Sequence, residues 1–260
     1  MAYATPLDPQ LYTLTSELDQ DPTQKRYAEL SLKVADLRSA TEHIIGQFAV
    51  AAPTPTAVLT LLQQAGALDL EYEEWFDTLP AAYLPLPPKW INSKVSSPAN
   101  AFSAAGRIDT YIDMFACFLQ NWARTARLYI HSITLRCLAW VSGPDSDYRN
   151  TAEYRRAQSI CSAVVTDIVA SVPFVFGWAK PHETSTETLQ PASVSGIYAM
   201  WFVFVAGSSD FATEAQRVYL KRTLNYIAEE IGIGQAKILA GVSFAIMLLF
   251  VRSCIHSTDL

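Results

Sequence analysis

Within GIYAMWFVFVAG, the residues Ile197–Val205 are apolar nearly all the way round a helix. A helix of that kind has no face suited to water, so the rest of the chain is expected to surround it. Upstream, Ile160, Val164, Ile168 and Val172 recur every four positions, which places them on one helical stripe. Pro173 has no amide hydrogen and disfavours helix in the residue before it, so this helix is expected to end near Ser171. A hydrophilic loop, 179–193, separates the two segments. The predicted centre of the fold, from Ser159 to Gly207, is therefore an amphipathic helix, a Pro-Phe corner and a buried helix.

The other segments also read as helices. Asp8-Pro9 and Asp21-Pro22 each pair an N-cap residue with proline at the first helical position. After the second, Tyr27, Leu30, Val34, Leu37, Thr41, Ile44 and Phe48 alternate by threes and fours and form one stripe, with His43 beside it as a surface or hydrogen-bonded residue. Thr54-Pro55 restarts a helix, which Gly66 is expected to interrupt. A long helix is expected from between Asp109 and Ile112 to near Ser142, closed by Gly143 and Pro144. Another runs from about Ala212 to Ile231, with Val218, Tyr219, Thr223, Tyr226 and Ile227 as its buried stripe; a last one runs from Gln235 to about His256. No stretch alternates long enough to build a sheet. The fold class predicted is all-α: a single large irregular helical bundle over residues 1–260. Its one extended part is a proline-rich arm, residues 80–98, packed through Tyr83, Leu84, Leu86 and Trp90, and a possible seam.

Composition removes several function classes. Half of the 260 residues are hydrophobic, which excludes a disordered chain. The net charge of -6 argues against direct, non-specific binding to nucleic acid, which needs Lys and Arg to neutralise phosphates. The start, MAYATPLDPQ, lacks the basic-then-apolar pattern of a secretory signal. The near-apolar run Ile238–Val251 is shorter than the roughly 18–20 residues a membrane-spanning helix needs, so no span is expected. An intracellular protein, cytoplasmic or nuclear, is the expectation. Cys117, Cys137, Cys161 and Cys254 show no CxxC spacing and read as buried thiols rather than as a zinc or redox motif. No dinucleotide fingerprint, P-loop, GxSxG, HExxH or DDxxD is present, so no cofactor and no metal is implied.

Polar residues in helical register supply the candidate chemistry. Asn121, Arg124, Arg127 and His131 share a broad face of the long helix, with Asp109 and Asp113 near its start. Together they read first as a structural network joining helices, or as plain solvent-exposed groups. Asp113, Arg127 and His131 are the candidate catalytic residues, because a histidine beside arginine and a carboxylate can move a proton. Asp69, Glu71, Glu73, Glu74 and Asp77 read as a solvated acidic face, with Leu70, Trp75 and Phe76 supplying apolar contacts. His182, Glu183 and Glu187 lack metal-ligand spacing and read as part of a solvated loop. Phe174, Trp178, Tyr198, Trp201 and Phe202 are the candidate lining of an apolar ligand cavity; each taken singly also reads as core.

Several blocks in order carry a family resemblance: LDLEYEEWFDTLP at Leu68–Pro80, the Asn121–His131 helix, ASVPFVFG at Ala170–Gly177, WFVFVAG at Trp201–Gly207 and QRVYLKRTLNYIAEEIGIGQA at Gln216–Ala236. From Gly66 to about Ala240 the chain resembles the C-terminal regulatory region, of the middle-homology type, of fungal binuclear zinc-cluster transcription factors. The resemblance implies a helical, effector-sensing region. It also implies DNA reading by a separate six-cysteine zinc module, which these 260 residues lack. Phe202 and Gln120 depart from that family's pattern, which often has proline and tryptophan at the corresponding places.

Two functions follow as expectations, beside a third reading in which the chain is the excised regulatory part of a longer factor. The first is a regulatory protein that binds an apolar small molecule or a protein partner. The alternative is a cofactor-independent enzyme of a fungal secondary-metabolite pathway: a cyclase, isomerase or dehydratase, pericyclic cyclisation included. Such an enzyme works by folding its substrate in an apolar pocket and polarising it with one group.

Overall fold

The computed structural model describes residues 21–46, 53–90, 106–143, 146–178 and 192–242. Among these are seven α-helices: α1 (Pro22–Ile44), α2 (Pro55–Asp77), α3 (Met114–Ser142), α4 (Ala152–Val175), α5 (Ala192–Gly207), α6 (Glu214–Glu229) and α7 (Gly234–Gly241). The chain is predominantly helical, as its periodicity predicts. The helix at Asp8-Pro9, Phe48, Pro98, Pro144, the loop with His182, Glu183 and Glu187, Cys254 and the end of the last helix lie outside the described residues.

The contacts divide the chain into two compact units. Of the described residues, the first unit holds those up to Pro80 and Ala126–Ser159, and the second holds Ala81–Thr125 and those from Ile160 onward. Both α3 and α4 contribute to each unit.

In the first unit, Asp21 caps α1 by accepting a 2.8 Å hydrogen bond from the Thr23 amide, with Pro22 at the first helical position. Leu30, Val34, Leu37, Thr41 and Ile45 form the buried stripe, and His43 is exposed. Thr54 caps α2, which packs against α1. The Trp75 indole clamps the pair by donating a 3.1 Å bond to the Thr23 carbonyl. The interruption expected at Gly66 does not occur. A mid-helix glycine costs only about 1 kcal/mol relative to alanine, and the buried Leu61, Ala65 and Leu68 around it hold the helix. Leu70 departs from its expected role and is exposed.

The second unit contains two strands, β1 (Lys89–Trp90) and β2 (Arg107–Ile108), paired antiparallel with Lys89 opposite Ile108 and Trp90 opposite Arg107. Among the described residues this small ladder is the only sheet, and its first strand lies in the arm expected to be extended. The proline-rich segment is held by its backbone: Leu86 N–H donates to the Thr110 carbonyl at 2.7 Å, and the Gln120 side chain to the Tyr83 carbonyl at 2.6 Å. Leu84, Leu86 and Trp90 are exposed, not packed.

α3 begins after the predicted start because Asp113 is its cap, accepting a 2.7 Å bond from the Ala116 amide. It ends as expected at Gly143, which takes the left-handed conformation with φ of 64°. α4 continues through Pro173 to Val175, correcting the stop expected near Ser171. In the last turn the proline withholds only the bond its own amide would have made to the Val169 carbonyl. By length and composition α4 could cross a membrane, but Val165, Ile168, Val169 and Val172 are buried inside the protein, as in a core helix.

α5, α6 and α7 pack on one another. Thr213 and Gln216 form a capping box at the start of α6. The α6 stripe is Tyr219, Leu220, Thr223, Leu224 and Ile227, with Val218 turned outward. α5 corrects the expectation of burial on every side. Ala199, Met200, Phe202, Val203, Val205 and Ala206 are buried, whereas Ile197, Tyr198 and Trp201 are exposed. These three, at i, i+1 and i+4, lie on one side of the helix.

Candidate functional site

Each unit carries a buried polar cluster. In the first, Asp69 on α2 is buried among apolar residues of the same helix: Ala65, Leu68 and Tyr72. Its Oδ1 accepts a 2.7 Å hydrogen bond from Arg127 Nε on α3. His131 Nε2 stands 3.3 Å from the same oxygen, close enough for an electrostatic contact but too poorly aligned for a formed hydrogen bond. Glu73, one turn on, accepts from Arg156 at 3.0 Å and more weakly from Arg127 at 3.4 Å. Burial opposes the charge on Asp69, but His131 and Arg127 together outweigh it and hold the carboxyl at a pKa of about 2. The cluster is a charged clasp between α2 and α3, with an imidazole and a guanidinium converging on one anionic oxygen.

The second unit is built around Arg124, which is buried on α3. Its guanidinium donates to Tyr111 Oη at 2.8 Å and to Asn121 Oδ1 at 3.1 Å. The Asn121 amide donates in turn to Ser171 Oγ on α4 at 2.9 Å, and Ser171 to the Ile168 carbonyl at 2.8 Å. Asp167 lies 3.8 Å from Arg124 and also receives Arg107, which bonds Asp109 at 2.8 Å. Burial raises the pKa of Tyr111 and of the Cys117 thiol, which keeps both neutral hydrogen-bonding groups.

The candidate residues thus separate into different roles. Arg127 and His131 meet on Asp69, whereas Asp113 caps α3. Asn121 and Arg124 bond each other, as their shared face predicts. Asp69 was hidden in a run read as a solvated acidic face; that reading holds for Glu74 and Asp77, which are exposed, but not for Asp69. The signal that identifies it is register: it falls beside Leu61, Ala65, Leu68 and Tyr72 on the buried side of α2. Tyr111, Asp167 and Ser171 carried no sequence signal of their own.

The candidate apolar lining is likewise divided. Phe174 is core and packs on Tyr111, ring centroids 5.7 Å apart. Trp178 packs against Phe176 at a tilt and meets Tyr226 edge-on, ring centroids 5.1 Å apart in both pairs. Tyr198 and Phe202 share Phe118, at 5.3 and 6.4 Å, and Tyr198 also meets Trp122 edge-on at 5.4 Å. Phe202 is fully buried, whereas Tyr198 is 44% and Trp201 46% exposed, so of these five candidates Tyr198 and Trp201 present aromatic surface on the outer face of α5. Among the described residues no group of three His, Cys, Asp or Glu is placed to hold a metal ion.

Compared with known proteins, the chain is 28% identical over 141 residues to the transcription factor dbaG of Emericella nidulans. The match covers 52% of this chain and 32% of that protein, so the chain matches about a third of its relative's length. No family profile matches the sequence. No solved structure matches it.

Proposed function

We propose that this chain is a helical regulatory protein of the fungal transcription-factor type, which binds a protein partner or an apolar small molecule and does not read DNA itself. The observation that carries the reading is the 28% identity to a transcription factor over half of the chain. Two further features support it. The net charge of -6 suits a protein contact better than a phosphate backbone. The outer face of α5 offers Ile197, Tyr198 and Trp201 to a partner, and exposed aromatic side chains are the kind that anchor interfaces. On this reading the protein works inside the cell, in the nucleus or the cytoplasm.

The test is to fuse the full chain to a heterologous DNA-binding module and read a reporter gene in a fungal host. The expected result is a several-fold change in reporter output that Tyr198→Ala with Trp201→Ala removes, while expression and helical content stay unchanged. No change with the wild-type fusion, together with conversion of a metabolite by the purified protein, would replace this reading with the enzyme alternative.

A further inference from the structure

Among the described residues, two phenol hydroxyls are buried without a hydrogen-bond partner: Tyr72 Oη on α2 and Tyr219 Oη on α6. The two residues are 0% and 5% exposed. A buried hydroxyl without a partner costs free energy, so each calls for a physical explanation. Their surroundings differ.

α1 and α2 run antiparallel, and the bonds between them fix their register. Trp75 Nε1 donates to the Thr23 carbonyl at 3.1 Å, and the Tyr27 and Trp75 rings lie 5.9 Å apart. One turn earlier on α2, Glu71 Oε2 accepts from Arg26 at 2.7 Å and from Lys33 at 2.6 Å. Tyr72 therefore stands opposite the turn of α1 from Tyr27 to Ser31, which lies between those two cations. The electrostatics agree with that placement. Burial pushes the Tyr72 phenol up, the Tyr27 phenol adds to the shift and the Ser31 hydroxyl opposes it. The same Ser31 hydroxyl opposes the rise that burial gives Tyr27. On Tyr219, burial acts alone.

The hydrogen-bonding inventory shows what is missing between the helices. Ser31 Oγ gives its hydrogen to the Tyr27 carbonyl at 2.9 Å, so toward Tyr72 it can only accept. Tyr72 has a hydrogen to give and no aligned acceptor. One water molecule completes the set: it accepts from Tyr72 Oη and donates to Ser31 Oγ and to Tyr27 Oη. A buried water makes about three hydrogen bonds, the number these groups offer. Tyr219 offers one, which is too few to hold a water.

We propose that an ordered water is bound between α1 and α2 by Tyr72, Ser31 and Tyr27. Through it the Tyr72 hydroxyl joins the two helices, whereas the Tyr219 hydroxyl is a net cost to the fold. The inference is independent of the regulatory reading above.

The two tyrosines provide an internal comparison. In urea unfolding of the full chain, Tyr72→Phe should lower the midpoint, because it takes away a donor on which the water depends. Tyr219→Phe should leave the midpoint unchanged or raise it. The loss in Tyr72→Phe should shrink in a Ser31→Ala background, where the water has already lost an acceptor. An unchanged or raised midpoint in Tyr72→Phe would overturn the proposal, and so would full additivity with Ser31→Ala. The water itself is read in a crystal structure of the full chain that shows ordered solvent. The expected peak lies about 2.5–3.0 Å from Tyr72 Oη, Ser31 Oγ and Tyr27 Oη. A direct Tyr72–Ser31 hydrogen bond, or no peak between the three oxygens, would overturn the proposal even where the midpoint falls.

Discussion

The carboxylate of Asp69 and the guanidinium of Arg127, from helices α2 and α3, meet at 2.7 Å with almost no access to water: their side chains are 5% and 11% exposed. Removing one partner of a buried pair strands the charge of the other at a cost of about 3–5 kcal/mol, here toward the lower end because Arg127 keeps a 3.4 Å contact to Glu73. Asp69→Ala should therefore lower the urea midpoint of unfolding sharply, with little change in the slope. A midpoint within error of wild type would mean that the clasp is solvated in the native state.

The same carboxylate makes stability depend on acid. Its folded pKa of about 2 is below the roughly 3.9 of an unfolded aspartate. The stabilisation is therefore complete above about pH 5 and is lost progressively as pH falls through about 2. The difference corresponds to about 2.6 kcal/mol. Asp69→Asn should flatten the stability profile across that window relative to wild type, as measured by urea unfolding at a series of pH values. Parallel profiles would show that Asp69 titrates normally.

These two predictions rest on a residue that the sequence obscured. Helix existence was legible because caps and apolar periodicity are local signals: Asp21-Pro22, Thr54-Pro55 and Gly143 fall where the chain places them. Pro173 and Gly66 misled because a breaker near a helix end, or inside a well-packed helix, removes less than the packing supplies. The apolar character of α5 was evident, but its outward side was not, since periodicity fails where every residue is apolar. Pairing was visible only within one helix, as for Asn121 and Arg124. The meeting of Arg127 with Asp69 joins residues far apart in the chain and leaves no local trace.

At the start of α6, the Gln216 amide donates to Thr213 Oγ1 at 3.3 Å, while Gln216 Oε1 accepts from the Thr213 amide at 2.9 Å. Thr213→Ala removes one half of this box and should cost about 1 kcal/mol, seen as a lower Tm. Thr213→Ser should retain most of the stability. Equal loss in both variants would show that the hydroxyl cap contributes nothing.

Gly196 admits the turn before α7. In Gly196→Ala the new Cβ would fall 2.7 Å from Ile233 Cδ1 and 3.2 Å from Ile231 Cγ2, so the turn must shift. A loss of about 1 kcal/mol is expected. Ile233→Val, which removes the Cδ1 methyl, should recover part of that loss in the double variant. Strict additivity of the two losses would argue against the contact.

Cys117, Cys137 and Cys161 are buried, and burial pushes the Cys117 thiol up and the Cys137 thiol up to about 11. Peptide mapping after brief alkylation at pH 8 should find all three unmodified in the folded protein and modified in urea. Rapid labelling of any of them under native conditions would contradict the packing described.

Regulation by this protein is tested most directly by deleting its gene in the source organism and measuring transcripts and metabolites together, with the wild-type gene restored as control. A regulator predicts that a defined set of transcripts changes severalfold and returns on restoration. Unchanged transcripts, with one metabolite replaced by its unreacted precursor, would contradict the regulatory reading and identify an enzyme.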